Sequence, residues 1–445
     1  MPNRLNPFQQ TMAMWEEMHP YNAAHVVHLR GRGNVARLHA AIQGACQMAG
    51  VGKLLLDLKE FHYHYEPAEY VELREIKGKD PVIETLRQAV EGELNTPFPD
   101  EPHHPVRWLV LDDPKTETHF LVVIYRHLAA DGFAMRLLVR RVLNRYFQTP
   151  LPGEDGPLQV VSPDYARLMR HHYRRLGHIK AFLRAIDTYF HLRRVHRMRE
   201  RRDGGERSHS LIFDAPKGCI ERLAAACRVR QVTVNDAFMA ALCRAMAEVT
   251  FARRGQSHRR GLALAAAVDV RDEAREDLSN CFGLFLGQVI LIADEPDVGD
   301  VEQLLVRTAV QMAREKTRKH FIGPQGTFVI LAFLRRWFSL RVTRARYLKD
   351  YPVSAGLTNV RLDASWFKGA ADYVLNYIRV PPTGPMLPIV LAPTTYSHRL
   401  SLGVTYRESS FTEAEARQLI DVFFATLELL SANGDIASSS GWPPH

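Results

Sequence analysis

The stretch "HFLVVIYRHLAADGFAMRLLVRRVLNRY", residues 119–146, constrains this chain most. "HFLVVIYRH" is apolar through its middle instead of alternating, so a strand built from it is buried on both faces and its sheet needs cover on both sides. The run stops at "LAADG". Beyond it Phe133, Leu137, Leu138 and Val142 recur at helical spacing, with Arg136, Arg140, Arg141 and Arg145 between them, which predicts an amphipathic helix from Phe133 to about Tyr146. His127, Asp131 and Gly132 therefore occupy a strand-to-helix corner, a place that points side chains into a cleft. Upstream, a Pro-rich turn introduces a strand from Val106 to Leu111, and "DPKTET" reads as the hairpin loop joining the two strands.

At 445 residues the chain exceeds what one core usually holds, so two units of roughly 200 residues each are expected. "RERRDGGERS", residues 199–208, is polar, charged and glycine-containing, and it marks the boundary. The expected lobes are residues 1–200 and 208–445. The first opens with a helix ("FQQTMAMWEEM"), a strand ("AAHVVHLRG") and a helix ("VARLHAAIQGACQMA") that Gly50 ends. The second reads as a strand ("SHSLIFDAP"), a helix ("CIERLAAACRVRQ") and a long helix from Val234 to Arg253, with Asn235 and Asp236 near the capping position. Strand-like runs then follow, "GLALAAAVDVR", "CFGLFLGQVILIAD", "ADYVLNYIRVPP", "PIVLAPTTYS" and "RLSLGVTYRE", before a closing helix from Glu413 to Ser431. Both halves mix strands and helices without a short repeat, so the fold class is α/β.

Hydrophobic residues at 46% and charged residues at 24% describe a folded chain. No apolar run reaches the ~20 residues of a membrane span, and the N-terminus has no basic segment followed by an apolar core; a cytoplasmic protein is expected. Five scattered cysteines with no CxxC pair point to a reducing compartment without disulfides or structural zinc. The adjacent pairs His103/His104 and His171/His172 seldom suit one ion, so no metal is expected.

Lys and Arg exceed Asp and Glu by nine, and residues 166–207, with 13 basic against 4 acidic side chains, hold an excess as large as that of the whole chain. Two basic helices are expected, 166–202 and 328–348, each interleaved with apolar and aromatic residues. Their charged faces could be solvated, hold an anionic membrane surface, dock an acidic carrier protein or attract coenzyme A phosphates. No nucleic-acid motif accompanies the charge.

Histidine suits acid and base chemistry because its pKa lies near neutrality. An aspartate four residues on could hold the imidazole, or could turn away and pin the loop through an arginine, with Gly132 giving the backbone room.

"RHLAADG", preceded by "PVRWLVLDDPKTETHFLVVIY", resembles the H-x-x-x-D-G superfamily of thioester-dependent acyltransferases. That group includes chloramphenicol acetyltransferase, the condensation domains of peptide synthetases, plant acyl-CoA acyltransferases and bacterial wax ester synthases. The likeness continues in the expected order through "NPFQQTMAMW", "SPDYARLM", "VTVNDAFMAALCRAM", "AAAVDVRDE...LSNCFGLFLG" and "GLTNV". It implies a two-lobed chloramphenicol acetyltransferase-like fold, each lobe a mixed sheet flanked by helices, with an active-site tunnel between them. It also implies His127 as general base, Asp131 in a structural salt bridge with Arg271, and Thr358 and Asn359 lining the channel near the oxyanion. No cofactor is implied beyond a CoA or phosphopantetheine thioester as co-substrate.

Two departures narrow the analogy. Peptide-forming condensation domains usually carry two adjacent histidines, and the first is Arg126 here; the plant D-F-G-W-G is absent. The resulting expectation is transfer of a fatty or polyketide-like acyl group from acyl-CoA or an acyl carrier protein to a hydroxyl or amine on a small-molecule or lipid acceptor. The alternatives are a stand-alone condensation protein joining carrier-bound partners through an amide, and a non-catalytic member that binds a carrier protein or membrane.

Overall fold

The computed structural model describes residues 3–113, 115–149, 156–161, 191–198, 200–201, 204–254, 259, 261–293, 299–319, 352–384 and 387–432, together with 167, 172, 183, 186–188, 190, 321 and 342. The expected basic helix 328–348, apart from Val342, lies outside the described residues, as do much of 166–202 and most of "SPDYARLM".

The first lobe is a five-stranded sheet in the order Val374–Val380, Asn22–Arg30, Thr118–Arg126, Val106–Asp112, Leu73–Ile76. Thr118–Arg126 is its middle strand, antiparallel to both neighbours and buried at every position after Thr118. Its side chains alternate between two apolar layers because strand side chains alternate faces. Leu121, Val123 and Tyr125 pack with Leu38 and Ile42 of helix Val35–Ala49 and with Leu138 and Val142 of helix Gly132–Tyr146. Phe120, Val122 and Ile124 pack with Leu86 and Val90 of helix Val82–Leu94. The unbroken apolar run thus has the two covered faces that its composition requires.

The second lobe is a seven-stranded sheet. Its main path runs Leu286–Ala293, Leu262–Asp269, Ala355–Leu357, Ile389–Tyr396, Arg399–Arg407, Ser208–Asp214, and Val360–Leu362 also pairs with Ile389–Tyr396. Helices Cys219–Val229, Val234–Arg254, Val301–Thr317 and Glu413–Ala432 share one core with it, where Phe238 and Phe423 stack. Thr233, not Asn235, caps the long helix: its hydroxyl accepts from the Asp236 N–H at 3.2 Å, and the Asp236 carboxylate accepts from the Thr233 N–H at 2.9 Å. This reciprocal pair satisfies two N–H groups that the helix start leaves open.

A division at residues 200–208 assigns Val374–Val380 to the second lobe, and the sheet order corrects this. The strand crosses back and pairs antiparallel with Asn22–Arg30, Tyr377 opposite Val27. Where it crosses the second sheet the backbones nearly touch; a Cβ on Gly403 would lie 1.9 Å from the Arg379 carbonyl oxygen. Asn376 also donates to Ser401 across the same junction at 3.0 Å. A third apolar cluster joins Phe8, Met12 and Trp15 of helix Pro7–Glu16 to Leu128, Ala263, Ala265 and Leu284. Among the described residues no helix is long and apolar enough to cross a membrane. The five cysteines are buried and free.

Candidate active site between the lobes

His127 follows the last residue of the middle strand, and Asp131 is the N-cap of helix Gly132–Tyr146. The turn between them is held from several sides. The His127 N–H donates to the Tyr21 carbonyl at 3.3 Å, the Asp131 N–H to the Gly283 carbonyl at 3.0 Å, and the Gln9 side chain to the Leu128 carbonyl at 2.9 Å.

The imidazole is 8% exposed, stacked 5.7 Å from the Tyr21 ring and edge-on to Tyr125. Nδ1 lies 2.9 Å from the Ala130 carbonyl oxygen. A carbonyl only accepts, so Nδ1 carries the proton and Nε2 carries the lone pair. Burial is the largest influence on this group and holds its pKa below the ordinary histidine value, against the opposing pull of the Ala130 hydrogen bond and Asp131. At neutral pH it is an unprotonated base with a defined tautomer.

Asp131 faces away from the imidazole. Its Oδ1 accepts from the Phe133 and Ala134 N–H groups at 3.0 and 2.9 Å, which caps the helix. The same carboxylate takes both arms of the Arg271 guanidinium, at 2.7 and 3.0 Å, and the Phe285 N–H at 2.8 Å. Arg271 and Asp131 are 6% and 1% exposed, and Arg271 also reaches Asp269 at 3.2 Å. Of the two courses open to Asp131 in the sequence, the geometry takes the pinning one.

A cavity of about 180 Å³ opens beside His127 between the lobes. Its walls include Tyr125, Gly132, Phe133 and Arg136 from the first lobe, Ala265, Asp269, Leu286 and Gly356 from the second, and Arg379 to Pro382 from the crossing strand. A Cβ on Gly132 would project between His25 Nε2 at 3.6 Å and Arg379 Nη1 at 3.8 Å. Thr358 and Asn359 line the same cavity. The Thr358 N–H is spent on the Leu391 carbonyl at 2.9 Å, and its hydroxyl accepts from Arg379 at 3.1 Å, so only the hydroxyl proton remains to donate. The Asn359 Oδ1 is buried with no partner among the described residues.

Arg126, which stands where two adjacent histidines would begin, does not line the cavity. It donates twice to Glu16 Oε2, at 2.9 and 2.7 Å, and ties the strand end to helix Pro7–Glu16. His103 and His104 serve separate carbonyls, those of Glu101 and Val106. Three cavity residues escape the motif reading: His25, bonded through Nδ1 to the Tyr377 hydroxyl at 2.6 Å, Arg136 and Arg379. Arg379 left one signal, a lone charge in the otherwise apolar "YIRVPP".

The chain matches the Condensation domain family model over residues 3–321. No curated protein matches. Among solved structures it resembles the first condensation domain of the calcium-dependent antibiotic synthetase in complex with a substrate analogue. That likeness has a TM-score of 0.70 at 15% identity and covers 97% of each chain. The condensation domain of the monacolin K polyketide synthase is similar, with a TM-score of 0.67 at 14% identity over 97% of this chain and 98% of that one. So is the epimerization domain from the third module of tyrocidine synthetase B, with a TM-score of 0.68 at 14% identity over 99% and 98%. These identities speak for the two-lobed fold alone, but the family match spans well over half of the chain and includes the His127 corner: the chain belongs to the condensation domain family.

Proposed function

We propose that the chain transfers an acyl group from a thioester held on a carrier protein's phosphopantetheine arm to an amine or hydroxyl, with His127 as the base. The acceptor N–H or O–H gives its proton to His127 Nε2 as its heteroatom attacks the thioester carbonyl. The C–S bond then breaks, and the thiolate takes the proton from the imidazolium. The observation that carries this reading is the fixed tautomer: Nδ1 bonded to the Ala130 carbonyl leaves Nε2 as the lone-pair nitrogen of a cavity-lining residue.

Family membership favours a carrier-held donor over coenzyme A. The chemistry at the carbonyl is the same for both, and no further cofactor is invoked. The positive end of helix Gly132–Tyr146, the Thr358 hydroxyl and the Asn359 amide are the groups available to the developing oxyanion. Phe8, Met12, Leu286, Leu387 and Val390 form an apolar wall that suits an apolar acyl chain. One structural neighbour is an epimerization domain, so the fold does not select the reaction, and the corner chemistry has to.

The test is thiol release from acyl-carrier and acyl-CoA thioesters, short and long, with pooled amines and alcohols. Acceptor-dependent release is expected from the native chain and should drop by ~100-fold or more in His127→Ala. Release unchanged in the variant, or none from any donor with folded protein, would overturn the reading.

A further inference from the structure

Among the described residues, Arg136 and Arg379 line the cavity and Arg271 pairs with its wall carboxylates; of these three only Arg271 has carboxylate partners. Arg271 is held by Asp131 and Asp269. Arg379, 6% exposed, has no carboxylate partner among the described residues: Nε donates to Thr394 at 3.3 Å, Nη1 to Thr358 Oγ1 at 3.1 Å, and Nη2 to the carbonyls of Thr358 and Pro393. A guanidinium has five N–H donors, so those four bonds leave one Nη1–H. Nη1 is the atom that a Cβ on Gly132 would approach, at the mouth of the catalytic corner.

Arg136 lies one helical turn beyond Gly132, also on the cavity wall. Its guanidinium sits over the Phe133 and Trp366 rings at 5.4 and 5.3 Å, its Nε is buried without a partner, and no carboxylate within the described residues pairs with it. Burial is the largest influence on both arginines and lowers their pKa values, that of Arg379 to about 10; a guanidinium is a cation at neutral pH by its own chemistry. Asp131 and Asp269, the carboxylates on the cavity wall, are already engaged by Arg271. With His127 and His25 neutral, the cavity is short of one negative charge. Buried charge without a counter-ion is costly, and a bound anion would supply the missing partner.

From this geometry we infer that the acceptor carries a free carboxylate, held between Arg136 and the open Nη1–H of Arg379 while its amine or hydroxyl meets His127. The substrate class is an amino acid or hydroxy acid whose acid group is not itself tied up as a thioester. An acyl chain set against the apolar lining residues Phe8, Met12, Leu286, Leu387 and Val390 would meet no comparable charged partner, which places the anion on the acceptor. The inference rests on the acyl-transfer reading and narrows it.

The experiment pairs amino acids and 3-hydroxybutyrate with their methyl esters as acceptors. Thiol release is followed from butyryl- and succinyl-pantetheine, and binding of 3-hydroxybutyrate and its ester is followed by calorimetry. Native protein is expected to favour the acids by tenfold or more in kcat/KM, and Arg136→Gln, which leaves the Arg379 clamp intact, should bring the acid-to-ester ratio near one. Arg379→Lys, which keeps the charge but loses the fork, should weaken acid binding while the protein stays folded by circular dichroism. Equal use of acids and esters would overturn the inference and leave acyl transfer standing. A preference for the succinyl donor with indifference to the acceptor would overturn it too, by moving the anion to the acyl group. No transfer from any pair, with acids still bound through Arg136, would overturn the acyl-transfer reading and spare the anion subsite.

Discussion

Asp131 shows how one side chain can carry several structural tasks. Its two oxygens accept the Arg271 fork, the Phe285 N–H and two N–H groups at the start of helix Gly132–Tyr146. The carboxylate therefore ties the His127 corner to the second lobe through both charge and backbone. Asp131→Asn keeps the shape but removes the charge and half of the acceptor capacity, leaving Arg271 buried and unmatched. Loss of one partner of such a pair typically costs ~3–5 kcal/mol; a urea unfolding midpoint lowered to match is expected. Adding Arg271→Met should recover part of the loss, because removing both buried charges costs less than removing one. A single variant as stable as the native chain would show that the pair does not hold the corner.

Two elements show where local rules act and where they stop. Helix Val234–Arg254 begins with the Thr233 and Asp236 exchange, a local device of the first turn. Thr233→Ala should lower stability by ~1 kcal/mol, read from thermal unfolding. The strand Val374–Val380 is different. It reads as a strand from its own residues, yet its partner Asn22–Arg30 lies far away in the chain, and nothing local specifies that pairing. The close approach at Gly403 is what allows the crossing. Gly403→Ala sets a Cβ against backbone that cannot move aside as a side chain would, and an overpacking cost of ~1–3 kcal/mol or more is expected, measured as a lower denaturation midpoint. An unchanged midpoint would mean that the two sheets separate easily at this point.

At the scale of the whole molecule, the buried histidines carry a common pH response. His19, His25, His28, His103, His104, His119 and His127 all have pKa values lowered chiefly by burial, His103 to about 4. Below about pH 6.5 the unfolded chain takes up protons at these sites that the folded chain does not, so stability is present above that pH and is lost as pH falls toward the folded values. His209 opposes this, its pKa raised first by the Glu91 hydrogen bond, and its contribution is lost as pH rises through the raised value. Among the described histidines with a shifted pKa, seven against one predict a melting temperature that falls between pH 7 and pH 5. If His127 is the base as proposed, the acid limb of kcat/KM should likewise lie below pH 6.5. A melting temperature that rises on acidification would contradict the sign.

Local pattern carried much of this protein. The double-sided burial of "HFLVVIYRH", the corner with His127, Asp131 and Gly132, and the helix face opposite Arg136 all follow from periodicity and residue type within some thirty positions. The match of Asp131 to Arg271 came through resemblance to a known family, since no spacing rule joins residues so far apart. Only the tertiary structure decided the rest: the return of Val374–Val380 to the first sheet, the diversion of Arg126 to Glu16, the engagement of the Thr358 N–H with Leu391, and the meeting of Arg136 with Arg379 at one cavity. The physical reason is common to all four. Strand propensity and charge are properties of a segment, whereas pairing, burial and the absence of a counter-ion depend on which distant segments pack together.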